Sequence, residues 1–322
     1  MTDSGDQAFR SERNLGREAE MTYGGALSFL RRRYTRDLSG VDVAVMGVPF
    51  DNAVTYRPGC RLGPRAIRAA SVQLAELNAF PFGFDPFETL AVVDTGDCFL
   101  DPHSPETIAP AIEDAARTII DTGAKLLSFG GDHFVAYPLL RAHAAKHGPV
   151  ALIQFDAHCD TWPDDPARTD HGTMFARAAK EGIVDVEHSI QIGLRTQNDR
   201  DHGFEILTAP WVHRNGIDAV IEKTLERVGD RPAYLSFDID GLDPAFAPGT
   251  GTPVPGGLAS WQALEFVRAL KPLNLIGMDL VEVSPPYDHA EITALAAAHV
   301  AHDWLCVLAE QKGAMRNTVG RI

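Results

Sequence analysis

Cysteine is scarce in this chain. Four are spread over 322 residues, at Cys60, Cys98, Cys159 and Cys306, and no CxxC pair occurs. That excludes a disulfide framework and a thiolate zinc ribbon, and it fits a reduced, cytosolic compartment. Positive charge is also in short supply. Against 44 Asp and Glu stand 29 Lys and Arg, for a formal charge of -15. This balance argues against nucleic acid or an anionic membrane as partner and suits a small cationic substrate. No stretch reaches the ~18 consecutive apolar residues that a membrane span needs. Residues 1–20 are polar and lack the apolar core of a signal peptide. They are expected to form a polar N-terminal tail or partner-binding arm ahead of one domain over 21–322. Gly130-Gly131 lacks the spacing of a P-loop or a dinucleotide fingerprint.

What the chain does have is a regular alternation of apolar runs and amphipathic stretches, with 45% hydrophobic residues to fill a core. Runs at 42–48, 90–94, 125–129, 151–155, 189–193, 233–237 and 275–281 predict strands. Between them, Pro64 is expected to open a helix reaching about Asn78. Ile108, Ile112, Ala115 and Ile119 mark a helical stripe, as do Ile217, Val220, Ile221, Leu225 and Val228. Ser260 is expected to cap a further helix, and an Ala-rich helix runs from about 290 to 312. Strand–helix alternation predicts an α/β fold: a single three-layer α/β/α domain around a mostly parallel, doubly wound sheet. No internal repeat or low-complexity tract interrupts it.

The polar residues of interest lie just after strands. Asp156-Ala157-His158-Cys159-Asp160-Thr161 follows the run Ala151–Phe155. Side chains alternate along extended chain, so Asp156, His158 and Asp160 leave on one side while Ala157 and Cys159 point away. Asp238-Ile239-Asp240 repeats the spacing after Ala233–Phe237. His133 follows Lys125–Phe129, and Glu282 follows Leu275–Val281. The carboxyl ends of parallel strands are where such folds build sites. Carboxylates and imidazoles converging there are costly unless a cation lies between them. His133, Asp156, His158, Asp160, Asp238 and Asp240 supply four carboxylates and two imidazoles. An oxygen-rich, thiolate-free set suits two Mn²⁺ or similar divalent ions better than structural zinc. Two such ions make water a nucleophile at neutral pH, with no Ser or Cys required.

These residues sit in longer motifs: Ser128-Phe129-Gly130-Gly131-Asp132-His133, Phe155 to Thr161, His171-Gly172-Thr173-Met174-Phe175, Ser236 to Gly251, and Val281-Glu282-Val283-Ser284-Pro285. In them the sequence resembles the ureohydrolase (arginase-like) family, bacterial agmatinases most of all, over nearly the whole chain after about residue 40. The resemblance implies two Mn²⁺ per subunit (Ni²⁺ or another divalent ion being the alternative). It implies hydrolysis of a guanidino group to urea and an amine, with agmatine to putrescine as the first reading. One ion would take His133, Asp156, Asp160 and Asp238; the other would take Asp156, His158, Asp238 and Asp240. Asp160 would also hydrogen bond the bridging hydroxide and pass its proton to the leaving amine. His171 matches the proton-shuttle histidine and Glu282 the guanidinium-binding carboxylate, with Thr161 beside the substrate. A homo-oligomer, trimer or hexamer, is the family's habit.

Two positions depart from the agmatinase pattern: Cys159 stands where Thr is usual, and Gly241 where Cys is. The loop 162–170 (WPDDPARTD) also differs, at the place expected to touch the substrate's tail. Hydrolysis of 4-guanidinobutyrate, 3-guanidinopropionate, a proclavaminate-type precursor or guanidine itself therefore stays open. An acidic pocket would favour an amine tail; Arg57 or Arg61 nearby would favour a carboxylate. Readings from other classes are an arginase-fold deacetylase, disfavoured by the six-ligand set, and a non-catalytic partner subunit, disfavoured because no ligand is missing.

Overall fold

The computed structural model describes residues 5–17, 20–75, 77–197 and 199–317. Among these, eight strands form one sheet: β1 (Val43–Val48), β2 (Val92–Asp97), β3 (Lys125–Gly130), β4 (Ala151–Phe155), β5 (Ile190–Leu194), β6 (Glu205–Thr208), β7 (Pro232–Asp238) and β8 (Asn274–Val281). Their spatial order is β2-β1-β3-β8-β7-β4-β5-β6, and every neighbouring pair is parallel. Parallel strands need crossovers, and helices on both faces supply them.

The strands read as continuous apolar runs because both faces are covered. Val43, Val45, Leu127 and Ile153 join one core with Trp304 and Leu305 of helix Ile292–Gln311. Their neighbours Ala44, Met46, Leu126 and Leu152 join the opposite core with Ile112, Ile119, Leu139 and Leu140. Period-two alternation thus divides each strand between two cores rather than between core and water. Phe155 stacks on Phe237 across β4 and β7, with centroids 4.5 Å apart and planes 8° from parallel. Such a pair adds about 0.5–1.5 kcal/mol beyond its buried area.

The sheet order is what positions the site. β3, β8, β7 and β4 are consecutive in space but far apart in sequence. Their carboxyl ends carry His133, Glu282, Asp238/Asp240 and Asp156/His158/Asp160 respectively, so one edge gathers the six metal candidates and Glu282.

Some local expectations change. The helix opened by Pro64 runs Gly63–Ser71 and tightens into a 3₁₀ turn over Val72–Leu74. There the Ser71 hydroxyl donates to Arg68 O and accepts from Leu30 N, competing with continued α-helix. Ser260 is the first helical residue rather than the cap; Ala259 caps, and its N–H donates to Gln262 Oε1. β6 and helix Ala209–Asn215 were not expected, because four half-exposed edge residues carry no clear periodicity. Helix Ile292–Gln311 is long and apolar enough to cross a membrane, contrary to the sequence reading, but 78% of that window is buried inside the chain. It serves as a core helix.

Residues 1–4, 18 and 19 of the N-terminal tail lie outside the described residues. The remainder lies against the body. Ala8 is buried, its carbonyl accepts from Tyr34 N, and Gly16 N donates to Phe87 O. The Arg31 guanidinium donates to Glu20, Met21 O and Gly24 O; that of Arg32 donates to Gly16 O and Asn14 O.

Candidate active site

The site is assembled from strand ends, and His133 is its best-defined member. Asp132 caps the turn that carries it, accepting from Phe134 N, and also accepts from Ala53 N of the loop after β1. His133 Nε2 lies 2.8 Å from Ser236 Oγ, and that hydroxyl donates to Asp279 Oδ1 at 2.7 Å. Tyr234 OH donates to the other Asp279 oxygen at 2.8 Å. With its own proton committed to Asp279, Ser236 accepts from Nε2–H. The tautomer is thereby fixed, and Nδ1 presents a lone pair.

Nδ1 is fully buried and makes no hydrogen bond, yet three carboxylate oxygens surround it. Asp156 Oδ2 lies at 3.0 Å, Asp160 Oδ2 at 2.9 Å and Asp238 Oδ2 at 3.2 Å. The second grouping has His158 Nδ1 at 3.4 Å from Asp156 Oδ1 and 3.1 Å from Asp240 Oδ2. Asp156 belongs to both groupings. A lone pair aimed at three buried carboxylates is unfavourable unless cations sit among them, so the residues present fit two divalent ions.

Charge in the cluster tells the same story. Burial and the charges of Asp240 and Asp156 raise Asp238 well above the carboxylate range. Burial and the charge of Asp156 push Asp160 up to about 6. Burial would also raise Asp156, but His133 and His158 outweigh it and hold Asp156 below that range. His158 is disfavoured by burial and still pushed up to about 12 by Asp240 and Asp156. The cluster demands positive charge, which metal ions would supply directly.

Glu282 and His171 stand beside it. Glu282 adopts a left-handed backbone, φ 63°, and Asp160 likewise, φ 52°, conformations that cost energy in non-glycine residues and concentrate at functional sites. Glu282 Oε1 accepts from His133 N and lies 2.9 Å from His171 Nδ1. Its Oε2 is buried without a hydrogen-bond partner. His171 Nε2 meets Thr55, at 3.2 Å from the backbone N and 3.0 Å from Oγ1. In the neutral ring, Nε2 accepts from the Thr55 N–H, which can only donate, and Nδ1–H faces Glu282; protonation adds a proton at Nε2. Burial would lower the His171 pKa, but the Glu282 contact raises it to about 9.

Five of the expected residues, His158, Asp160, His171, Asp238 and Glu282, line a cavity of about 140 Å³ together with Thr55, Trp162, Gly172 and Thr252. His133, Asp156 and Asp240 are buried behind them. Thr161 is not brought to this cavity; it lines a neighbouring one, with its hydroxyl buried and unpartnered. Neither arginine considered for a carboxylate tail lines it. Arg61 pairs with Asp51, and Arg57 lies over the rings of Tyr56 and Tyr287.

Sequence reading missed the supporting residues. Gln154 Nε2 donates to Asp156 Oδ2 at 2.8 Å, and Thr252 Oγ1 donates to Asp240 Oδ2 at 3.2 Å. Gln154 and Ser236 each lie two residues before a ligand, on the same side of the strand. A polar residue in an otherwise apolar run, in phase with the ligands, was the available signal; Asp279, Tyr234, Thr55 and Thr252 had none as clear. Of the departures, Cys159 is buried, and its carbonyl accepts from Gln191 Nε2. A Cβ on Gly241 would meet Phe155 Cδ1 at 2.5 Å, so the Phe155 ring occupies the space a larger residue would need.

A family model described as the arginase family matches residues 41–306. An agmatinase of Chromobacterium violaceum is 60% identical over 310 residues, 96% of each chain. The crystal structure of a hypothetical agmatinase from Burkholderia thailandensis superposes with a TM-score of 0.95 at 60% identity, covering 96% of this chain and 98% of that one. Proclavaminate amidino hydrolase from Streptomyces clavuligerus gives 0.86 at 36% identity, covering 91% and 100%. The chain belongs to the arginase family, a family of binuclear metal enzymes.

Proposed function

We propose that the protein hydrolyses agmatine to putrescine and urea in one catalytic domain over 21–322, with two Mn²⁺ per subunit. The observation that carries the substrate class is Glu282 Oε2. It is a buried carboxylate oxygen with no partner, at a cavity that Asp160 and Asp238 also line. A planar guanidinium offers it the charge-assisted N–H bonds it lacks. His133, Asp156, Asp160 and Asp238 would hold one ion, and Asp156, His158, Asp238 and Asp240 the other. The ions supply Lewis acidity and a water acidic enough to attack at neutral pH.

The chain's own groups do the rest. Glu282 orients the guanidinium so that its carbon faces the metal ligands, a positioning effect. Asp160, at the cavity beside the other ligands, takes up the proton released by water. It delivers that proton to the alkyl nitrogen as its bond to the guanidinium carbon breaks, and putrescine departs as an amine while urea remains. His171, held between Thr55 and Glu282 at the cavity wall, carries a proton between this site and solvent. Among the described residues no Lys or Arg lines the cavity, so an amine tail is better accommodated than a carboxylate tail. The relatives named agmatinase support the same choice. Assembly as a homo-oligomer and a cytosolic location belong to the same reading.

The test is urea release by the Mn²⁺-loaded protein from agmatine, 4-guanidinobutyrate, 3-guanidinopropionate, arginine and guanidine. Agmatine is expected to show the highest kcat/KM. Absence of urea from agmatine, with turnover of a guanidino acid, refutes the substrate assignment.

A further inference from the structure

A cavity of about 620 Å³ lies next to the small one. Trp162 is the residue common to both linings. The two spaces differ in character. The small cavity is acidic and, among the described residues, has no Lys or Arg; the large one is lined by Lys180 and Arg200 along with Asp164 and Asp199. At 140 Å³ the small cavity falls below the roughly 300–1,000 Å³ of drug-sized sites. What closes it therefore decides which substrates fit.

Trp162 is held from two sides. Its indole N–H donates to Gln197 O at 3.1 Å, just beyond β5, and its backbone N–H donates to Gly172 O at 3.1 Å. The ring lies against Gly172, where an added Cβ would meet Trp162 Cε3 at 2.7 Å and Cζ3 at 3.0 Å. It also approaches the His158 ring, with centroids 6.1 Å apart. A two-point clamp with a glycine seat fixes the ring far better than an ordinary exposed loop would. Nothing in the metal set requires a tryptophan in this position.

We propose that the Trp162 indole is the specificity wall of the active site, separating an acidic, amine-accepting cavity from a larger space lined by side chains of both charges, Lys180 among them. The inference rests on the guanidine-hydrolysis reading above and names what sets the choice of tail. An indole face attracts a cation within about 6 Å of its centroid and offers nothing comparable to a carboxylate. With the ring removed, the small cavity opens toward Lys180. A carboxylate tail then gains a partner, and an amine tail loses its wall.

The experiment compares Mn²⁺-loaded wild type, Trp162→Ala and Trp162→Phe, measuring kcat and KM for agmatine, 4-guanidinobutyrate and arginine. In Trp162→Ala, the ratio of kcat/KM for agmatine to that for either acid is expected to fall tenfold or more. The loss on agmatine should lie mainly in KM, because the wall does not touch the metal ligands' chemistry. Trp162→Phe should recover most of the ratio. Gly172→Ala, which displaces the ring without deleting it, should move the ratio the same way and serves if Trp162→Ala does not fold. A change smaller than tenfold in the ratio, or a loss confined to kcat, overturns the wall. If wild type releases no urea from agmatine, the substrate reading itself fails, which is a separate and visible outcome.

Discussion

Ser236→Ala tests whether the hydroxyl relay behind His133 prepares a metal ligand or merely fills the core. The substitution removes two hydrogen bonds, the 2.8 Å contact with His133 Nε2 and the 2.7 Å bond to Asp279 Oδ1. Both partners are buried, His133 at 1% exposure and Asp279 at 0%, so water cannot replace the hydroxyl. A buried polar group left unpaired costs about 1–3 kcal/mol. Loss of an outer partner that orients a ligand histidine typically weakens metal binding about 10–100-fold. The effect should be one-sided, because His133 serves one proposed ion and His158 the other. Metal titration with a chelator competitor is the assay. Wild type should bind two equivalents with affinities of one order, and Ser236→Ala should keep one while the other weakens at least tenfold. Equal weakening of both ions, or none, would refute the assignment of His133 Nδ1 as a ligand oriented through Ser236.

His143 gives a pH prediction away from the metal residues. It packs on Tyr234, both ring nitrogens are buried without partners, and burial with the nearby charges of His147, Lys146 and Lys125 pushes it down to about 3. Its folded pKa lies below its unfolded value, so the unfolded chain binds the extra proton. Stability is therefore full above pH 6.5 and is lost as pH falls toward 3, by about 2 kcal/mol at pH 5. Relative to wild type, His143→Leu should gain about that much between pH 7 and pH 5 in urea unfolding; parallel pH dependence would contradict it. Asp156→Ala and Asp238→Ala should each abolish activity and two-metal loading together, measured by urea release and elemental analysis; retained activity in either refutes the bridging roles. His171→Ala should lower kcat at least about 100-fold with both metals still bound, and metal loss in that variant would show that His171 supports the centre instead.

The parts of this account legible in the sequence were those governed by short-range rules. Alternation of runs and stripes indicated a parallel, doubly wound sheet, and the position of Asp156, His158 and Asp160 just after a strand marked the site; the extended-chain alternation expected for them does not hold, because β4 ends at Phe155 and Asp160 takes a left-handed backbone. That β3, β8, β7 and β4 stand side by side is a matter of tertiary winding, which no local pattern encodes. The relay Tyr234–Asp279–Ser236–His133 joins three strands and could be found only once those strands were adjacent. Gln154 and Ser236 were within reach, being polar residues in apolar runs and in phase with the ligands. Thr55 was not, because it reaches His171 across 116 positions on a loop held by Asp132. Thr161 was expected at the substrate on resemblance alone, and the loop turns it toward the adjoining cavity, leaving Trp162 at the wall.

The central claim is that one edge of the sheet holds two metal ions with Asp156 and Asp238 between them. Anomalous scattering at the manganese edge, from crystals of the Mn²⁺-loaded protein, tests it most directly. The account predicts two peaks about 3.5–4 Å apart, one against His133 and Asp160, the other against His158 and Asp240. A single peak there, or manganese found instead at the buried His302, Asp303 and Cys306 group on helix Ile292–Gln311, would contradict it.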